Sequence, residues 1–149
     1  MATLYVTQGL PASGKTTEAR AWVAAAVASP AGEGSRARIN RDDLRAMLFG
    51  GWTGEHAHEE AVTAAQRAAV GALLRRGLDV VTDDTNLRTD VMDAWRELAA
   101  DVNAAVQVWD LTGVPLDECL RRNELRRGLA SFVPPEVIRG MSSRYLGAP

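Results

Sequence analysis

The chain has 149 residues, 46% hydrophobic and 24% charged, with a formal net charge of −2. That length suits one domain with a real core, and the near-neutral balance excludes a generally basic nucleic-acid coat, so any polyanion must bind in a local cationic cleft. A single cysteine, Cys119, excludes an intrachain disulfide and a cysteine-based zinc site, and no apolar stretch is long enough to span a bilayer. The first residues run straight into a strand with no room for a signal peptide, so a reducing, cytoplasmic setting is expected.

Residues 3–7 are apolar and β-branched and read as the first strand. They lead into Gly9-Leu10-Pro11-Ala12-Ser13-Gly14-Lys15-Thr16, which fits the phosphate-loop pattern G-x-x-x-x-G-K-[ST] at every fixed position. The alanine-rich run over 15–28 reads as a helix. Strand, glycine loop and helix form the context this pattern needs, because loop N–H groups and the helix N-terminus bind phosphate oxygens together. Gly9, Ala12, Ser13, Gly14, Lys15, Thr16 and Thr17 are therefore the expected binding residues for ATP or another NTP, with the Thr16 hydroxyl on Mg²⁺. Lys15 is the only lysine, against 16 arginines. A compact ammonium fits a tight cradle of N–H groups that a planar guanidinium does not.

Residues 32–35 are the most mobile-looking interior stretch. A short strand over 37–40 and a helix over 42–49 follow. A glycine loop at 50–54 carries Trp52, and a long helix is expected from about 55 to 76, stopped by Gly77. Residues 78–83 form the third strand. Thr89 should cap a helix with Val91, Met92, Trp95, Leu98 and Ala99 at helical spacing. Residues 105–109 form the fourth strand. Pro115 opens a helix that Gly128 closes, and Pro134-Pro135 opens the last helix, to about Tyr145. Strands alternating with helices predict a parallel sheet covered on both faces. The tryptophans are mostly core by spacing; Trp52 is the one placed to stack on a base.

In such sheets ligands bind beyond the carboxyl ends of the strands. Asp42 and Arg45, three apart, share a helix face after the second strand. A carboxylate there can orient an acceptor hydroxyl and take its proton, and the arginine can hold an anionic group of the acceptor. An acidic first helix turn with a solvated arginine is the plainer alternative. Asp83-Asp84-Thr85-Asn86 ends the third strand, where an aspartate can hold a water of the Mg²⁺ shell or brace Arg45, or simply close a turn. Arg121, Arg122, Arg126 and Arg127 lie before Gly128, where a mobile arginine-bearing segment could close over transferred phosphate; a solvated basic helix end is the alternative. His56 and His58 are two apart and point apart on a helix, so His56, His58, Glu59 and Glu60 read as a surface helix start rather than a metal site.

With Gly9–Thr17, Ile39-Asn40-Arg41-Asp42-Asp43-Leu44-Arg45, Asp84-Thr85-Asn86-Leu87, Arg122-Asn123 and Val133-Pro134 in this order, the chain resembles the 5′-hydroxyl polynucleotide kinases of phages and bacteria. The resemblance implies an α/β P-loop NTPase/kinase fold over 1–149, with a four-stranded parallel sheet of order 2-3-1-4 flanked by helices and a helical lid at about 115–133. It implies transfer of the ATP γ-phosphate to a 5′-hydroxyl nucleic-acid end, with a link to nucleic-acid repair. Lys15 and Thr16 would bind the triphosphate and Mg²⁺. Asp42 would be the general base, and Arg45 the contact to the phosphate on the acceptor's 3′ side. Asp84 would be the essential strand-end aspartate, beside Thr85, and Arg122 a nucleotide-side lid contact. Val133 would line the pocket for the terminal base, with Phe132 able to stack. The family's catalytic lid arginine falls four residues after the first and directly before glycine; Arg126 has the spacing and Arg127 the glycine, so both stand as candidates. A P-loop kinase for a nucleoside, sugar or antibiotic shares most of these features. A non-catalytic nucleotide switch does not need the Asp42/Arg45 pair.

Overall fold

The computed structural model describes residues 1–28 and 35–147; residues 32–34 of the stretch expected to be mobile lie outside the described residues. In chain order the elements are β1 (Thr3–Gln8), α1 (Lys15–Val27), β2 (Arg36–Ile39), α2 (Arg41–Phe49), α3 (His56–Arg75), β3 (Asp79–Thr82), α4 (Thr89–Asp101), β4 (Ala105–Asp110), α5 (Leu116–Glu124) and α6 (Pro135–Leu146). The four strands form one parallel sheet of order β2-β3-β1-β4. The architecture and strand order match the expectation from the sequence.

Strand alternation decides which helix covers which face. Leu4 and Val6 of β1 join Val80 of β3 in a buried cluster with Val70 and Leu74 of α3 and Met92, Trp95 and Ala99 of α4. Tyr5, between them, points the other way. It meets Trp22 of α1 and Trp109 of β4, each with ring centroids 5.1 Å away. Helices α3 and α4 thus cover one face and α1 the other. A second cluster of Leu10, Cys119 and Ile138 seats α5 and α6 against the phosphate loop. Of the four tryptophans, Trp95 is buried, Trp22 and Trp109 are half-buried, and Trp52 is exposed.

Three local details depart from the sequence expectation. Thr89 is the first helical residue of α4, and Arg88 holds the non-helical cap position without a side-chain bond. Helix α5 ends at Glu124 rather than at Gly128. Beyond it the bonds are of i to i−3 type, from Arg126 N to Asn123 O and from Leu129 N to Arg126 O. Buried Asn123 explains the early end: its amide donates to Val133 O at 2.7 Å and its Oδ1 accepts from Val133 N at 3.0 Å. Residues 124–132 are thereby closed into a loop whose ends are tied together. Finally, α2 starts directly at the end of β2, because Asn40 caps it, accepting from Asp43 N at 2.9 Å. That cap brings Asp42 and Arg45 to the carboxyl edge of the sheet.

Candidate active site

All four strands run the same way, so the segments after β1, β2 and β3 meet at one edge. The end of β1 is stapled to the end of β3 by polar side chains. Thr7 Oγ1 donates to Asp84 O at 2.9 Å, and buried Asn86 donates through Nδ2 to Thr7 O at 2.9 Å. Trp95 Nε1 donates to Asn86 Oδ1 at 3.1 Å, so the core holds the staple in turn. Asn86 sits at φ 44°, a left-handed conformation that asparagine tolerates better than most residues. These bonds hold the phosphate loop and the strand-end aspartates in a fixed relation.

Within the loop, Gly14 adopts φ 106°, where any Cβ is strained, and a Cβ on Gly9 would lie 2.6 Å from Ser13 Oγ. Lys15 is buried. Its ammonium donates to Gly9 O at 2.9 Å, Leu10 O at 2.6 Å and Ser13 Oγ at 3.3 Å. Burial lowers its pKa to about 8; Arg126 pushes the same way, and the charges of Asp83 and Asp84 oppose it. Gly9 and Ser13 therefore act on Lys15 from within the loop. Thr17 is exposed on α1.

A cavity of about 340 Å³ opens over the loop, lined by Ala12, Gly14, Lys15 and Thr16 on one side and by Asp42 and Arg45 on the other. Asp83, Asp84, Thr85, Arg126 and Val133 complete its wall. The two aspartates have different surroundings. Asp84 accepts from Arg41 N at 3.0 Å through Oδ1 and from Gln66 Nε2 at 2.5 Å through Oδ2. Burial nonetheless pushes its carboxyl up to about 6, the two hydrogen bonds only partly opposing the rise. Asp83 is 2% exposed, and neither of its oxygens has a hydrogen-bond partner, although Arg38 Nη2 lies 2.9 Å from Oδ2 as an ion pair. A buried, under-partnered carboxylate beside Lys15 is suited to a cation or its hydration shell. Among the described residues no group of three or more His, Cys, Asp or Glu side chains forms a cage for a metal. Magnesium does not need one, since it keeps waters and takes oxygens from bound phosphate.

The acceptor side is a network of charges. Arg45 donates to Glu59 through Nε at 2.6 Å and Nη2 at 2.8 Å, and through Nη1 to Asp42 Oδ1 at 2.5 Å. Arg41 Nη2 reaches the same Glu59 carboxylate at 2.8 Å. The Arg45 hydrogen bond, with Arg41 assisting, holds the Glu59 carboxyl down at about 2. Glu59 is thus no surface residue of a helix start: it is half-buried and orients two guanidinium groups. His56 and Glu60 do form an exposed pair, at 3.5 Å. Asp42 is the exposed end of the network, with its side chain 84% accessible, facing the cavity that Lys15 and Thr16 line.

The arginines after β4 separate. Arg122 donates to Ser13 O of the loop at 3.3 Å while Glu118 holds its Nε at 2.7 Å. Arg126 lines the cavity. Arg127 pairs with Glu124 and lies over Phe132, 5.0 Å from the ring centroid. Neither Arg127 nor Phe132 lines the cavity, whereas Val133 does. From the sequence, Asp83 and Asn86 stand only as members of the strand-end segment Asp83-Asp84-Thr85-Asn86, Gln66 is not singled out, and Glu59 reads as surface. Nothing in their immediate sequence marks the partners they take, because each acts across elements.

Three comparisons bear on this geometry. Residues 4–147 match the family model described as an AAA domain. Among curated proteins, the chain is 30% identical over 156 residues to a "Putative bifunctional polynucleotide kinase/RNA ligase" of Autographa californica nuclear polyhedrosis virus, covering 96% of this chain and 21% of that protein. Among solved structures it is similar to a chain of the Pnkp1/Rnl/Hen1 RNA repair complex, with TM-score 0.80 and 26% identity, over 98% of this chain and 44% of that one. Chaetomium thermophilum Kti12, in complex with ADP-AlF3, shares the fold with TM-score 0.70 at 22% identity, over 95% of this chain and 79% of that one. The chain thus spans about a fifth of the curated relative and under half of the repair-complex chain. Among the described residues no helix is long and apolar enough to cross a membrane.

Proposed function

The chain belongs to the AAA domain family, and within it we propose that it is a P-loop phosphotransferase moving the ATP γ-phosphate to a 5′-hydroxyl end of nucleic acid. The observation that carries this reading is the pairing, across one cavity, of the phosphate loop with Asp42 and Arg45. A nucleotide switch has no use for a carboxylate and a guanidinium held opposite Lys15. The names of the viral relative and of the repair-complex chain point the same way.

The chemistry follows from the placements. The acceptor oxygen bonds to the γ-phosphorus as the bond from that phosphorus to the β–γ bridging oxygen breaks. ADP leaves, and the hydroxyl proton passes to an Asp42 oxygen. Lys15 turns its ammonium from the loop carbonyls to the donor phosphates. The transition state is loose, so positioning matters more than the strength of the base. Arg126, which lines the cavity, is the better candidate for the lid arginine; Arg127 is occupied by Glu124 and Phe132. Residues 115–133 would act as the lid, with Arg122 coupling it to the loop through Ser13 O. The Thr16 hydroxyl and, through water, the strand-end aspartates would hold Mg²⁺, which would supply positive charge to the donor phosphates. Asp83, whose Oδ1 has no partner while Arg38 pairs with Oδ2, fits that role better than Asp84, whose two oxygens are both hydrogen-bonded. A cytoplasmic setting and a place in nucleic-acid repair belong to the same proposal.

The test is transfer from γ-labelled ATP to an oligonucleotide with a free 5′-hydroxyl, beside the same oligonucleotide already 5′-phosphorylated and a panel of nucleosides and sugars. Label on the 5′-hydroxyl oligonucleotide alone is the expected result. Label only on a small molecule would move the site to the small-molecule kinases.

A further inference from the structure

Trp52 is 71% exposed, unlike the other three tryptophans. Leaving so large an aromatic surface in water is unfavourable, yet the loop that carries it is well braced. Gly50, Gly51 and Gly54 all take positive φ, at 74°, 130° and 77°, which shapes a turn other residues would strain. Thr53, next to the tryptophan, meets His58 Nδ1 at 2.8 Å, and His58 stacks on Phe49 with ring centroids 3.9 Å apart. The indole is therefore held out on a fixed support. It is held at a specific place, with the Arg45 guanidinium carbon 5.6 Å from the ring centroid. The N–H groups of that guanidinium are taken by Asp42 and Glu59, while its carbon lies over the indole ring.

We infer that Trp52 is a stacking platform for the second nucleobase of the acceptor strand, one nucleotide inward from the reacting 5′ end. This rests on the polynucleotide reading above. If Arg45 holds the phosphate on the 3′ side of the first nucleotide, the next nucleotide begins at that phosphate, and its base is within reach of the indole beside Arg45. Base–aromatic stacking tolerates any sequence, because every base has a π-face. Trp52 would therefore confer a preference for acceptors of two or more nucleotides without choosing among bases. Met47 and Leu48 of α2 are exposed as well, so a protein-binding face is the competing explanation.

The experiment compares kcat/KM of the wild type, Trp52→Ala and Trp52→Phe on three acceptors. These are a nucleoside 3′-phosphate, a 5′-hydroxyl trinucleotide, and the same trinucleotide with an abasic second position. In the wild type, removal of the second base should cost roughly tenfold, within the range of one stacked base. Trp52→Ala should abolish that difference, Trp52→Phe should retain most of it, and all three proteins should treat the nucleoside 3′-phosphate alike. Indole fluorescence should change when the intact trinucleotide binds, and not when the abasic one does. Discrimination surviving in Trp52→Ala overturns the inference and favours a protein face. Equal losses on all three acceptors also overturn it, making Trp52 a mere prop for Arg45. Failure of the wild type to phosphorylate any of the three would overturn the polynucleotide reading itself, and the platform with it.

Discussion

The donor and acceptor halves of the cavity are built from different materials. On the donor side the loop is fixed by backbone carbonyls around Lys15 and by the buried Thr7–Asn86–Trp95 staple. On the acceptor side Asp42, Arg45, Arg41 and Glu59 hold one another, and Asp42 is open to solvent. Buried hydrogen bonds are little affected by salt; partly exposed ion pairs are screened by it. The donor half is thus shaped by folding itself, whereas the acceptor half is shaped by a balance of charges that an anionic substrate can enter and rearrange. A phosphate arriving at Arg45 would meet a guanidinium whose Nε–Nη2 edge Glu59 already holds and orients.

The sharpest way to probe the donor half is through the two candidate arginines. Arg126→Ala should lower turnover on the order of 10³-fold or more, as expected for a guanidinium that meets charge in the transition state. Arg127→Ala should stay within about twofold in turnover, since an exposed ion pair contributes little. Single-turnover transfer rates check both, and the reverse ranking would reassign the lid. Next in size is Asp42→Asn, which keeps the shape but cannot take the proton. A loss of about 10²-fold or more in turnover is expected, with ATP affinity by calorimetry unchanged. A collapse of ATP affinity with turnover preserved would place Asp42 in the donor half and erase the division.

Glu59→Gln tests whether the acceptor half depends on charge balance. The two arginines lose the carboxylate that orients them, while the donor half is untouched. The acceptor KM should rise roughly tenfold, as for one charge-assisted contact, and the ATP KM should not move. Raised salt should weaken acceptor binding in the wild type and less so in the variant. A parallel rise in both KM values would show that Glu59 serves the whole domain instead.

How much of this the sequence disclosed follows the same division. The donor half is local: the loop and its helix are contiguous, so Gly9 to Thr16 state their purpose in order, and the alternation of strands and helices carries the parallel sheet, whose order only the resemblance implies. Asp42 and Arg45 are also one helix turn apart and legible as a pair. The partners that orient them are not. Glu59 lies on α3, 14 residues beyond Arg45, and its neighbours made it look like surface. Asp83 and Asp84 are adjacent and chemically identical, and only their partners distinguish the one whose oxygens lack hydrogen bonds from the one bonded to Arg41 N and Gln66. The early end of α5 was hidden because Asn123 binds a backbone ten residues on, which no local rule anticipates.

Asp84 joins the two halves, and its ionisation gives the smallest effect. Its carboxyl is pushed up to about 6 by burial, while an unfolded aspartate titrates near 3.9. Between those values the folded chain keeps a proton that the unfolded chain has released. Folding therefore binds the proton in this window, and the contribution of Asp84 to stability falls as pH rises from about 4 to 6, then stays flat above. Glu59, held down at about 2, acts oppositely: its contribution is present above the usual glutamate range and is lost as pH falls from about 4.5 toward 2. Asp84→Asn isolates the first effect, because the amide can still accept from Arg41 N and a turned Gln66 amide can meet its other end. Urea midpoints should show the variant more stable than wild type by about 1–3 kcal/mol at pH 7.5, with the gap closing near pH 4. Transfer activity should be lost over the same range in which the variant gains stability. That opposition is what a buried carboxylate retained for chemistry implies, since the fold would do better with the neutral side chain. A variant less stable than wild type at pH 7.5 would mean instead that the ionised carboxylate is needed to hold α2 against the sheet.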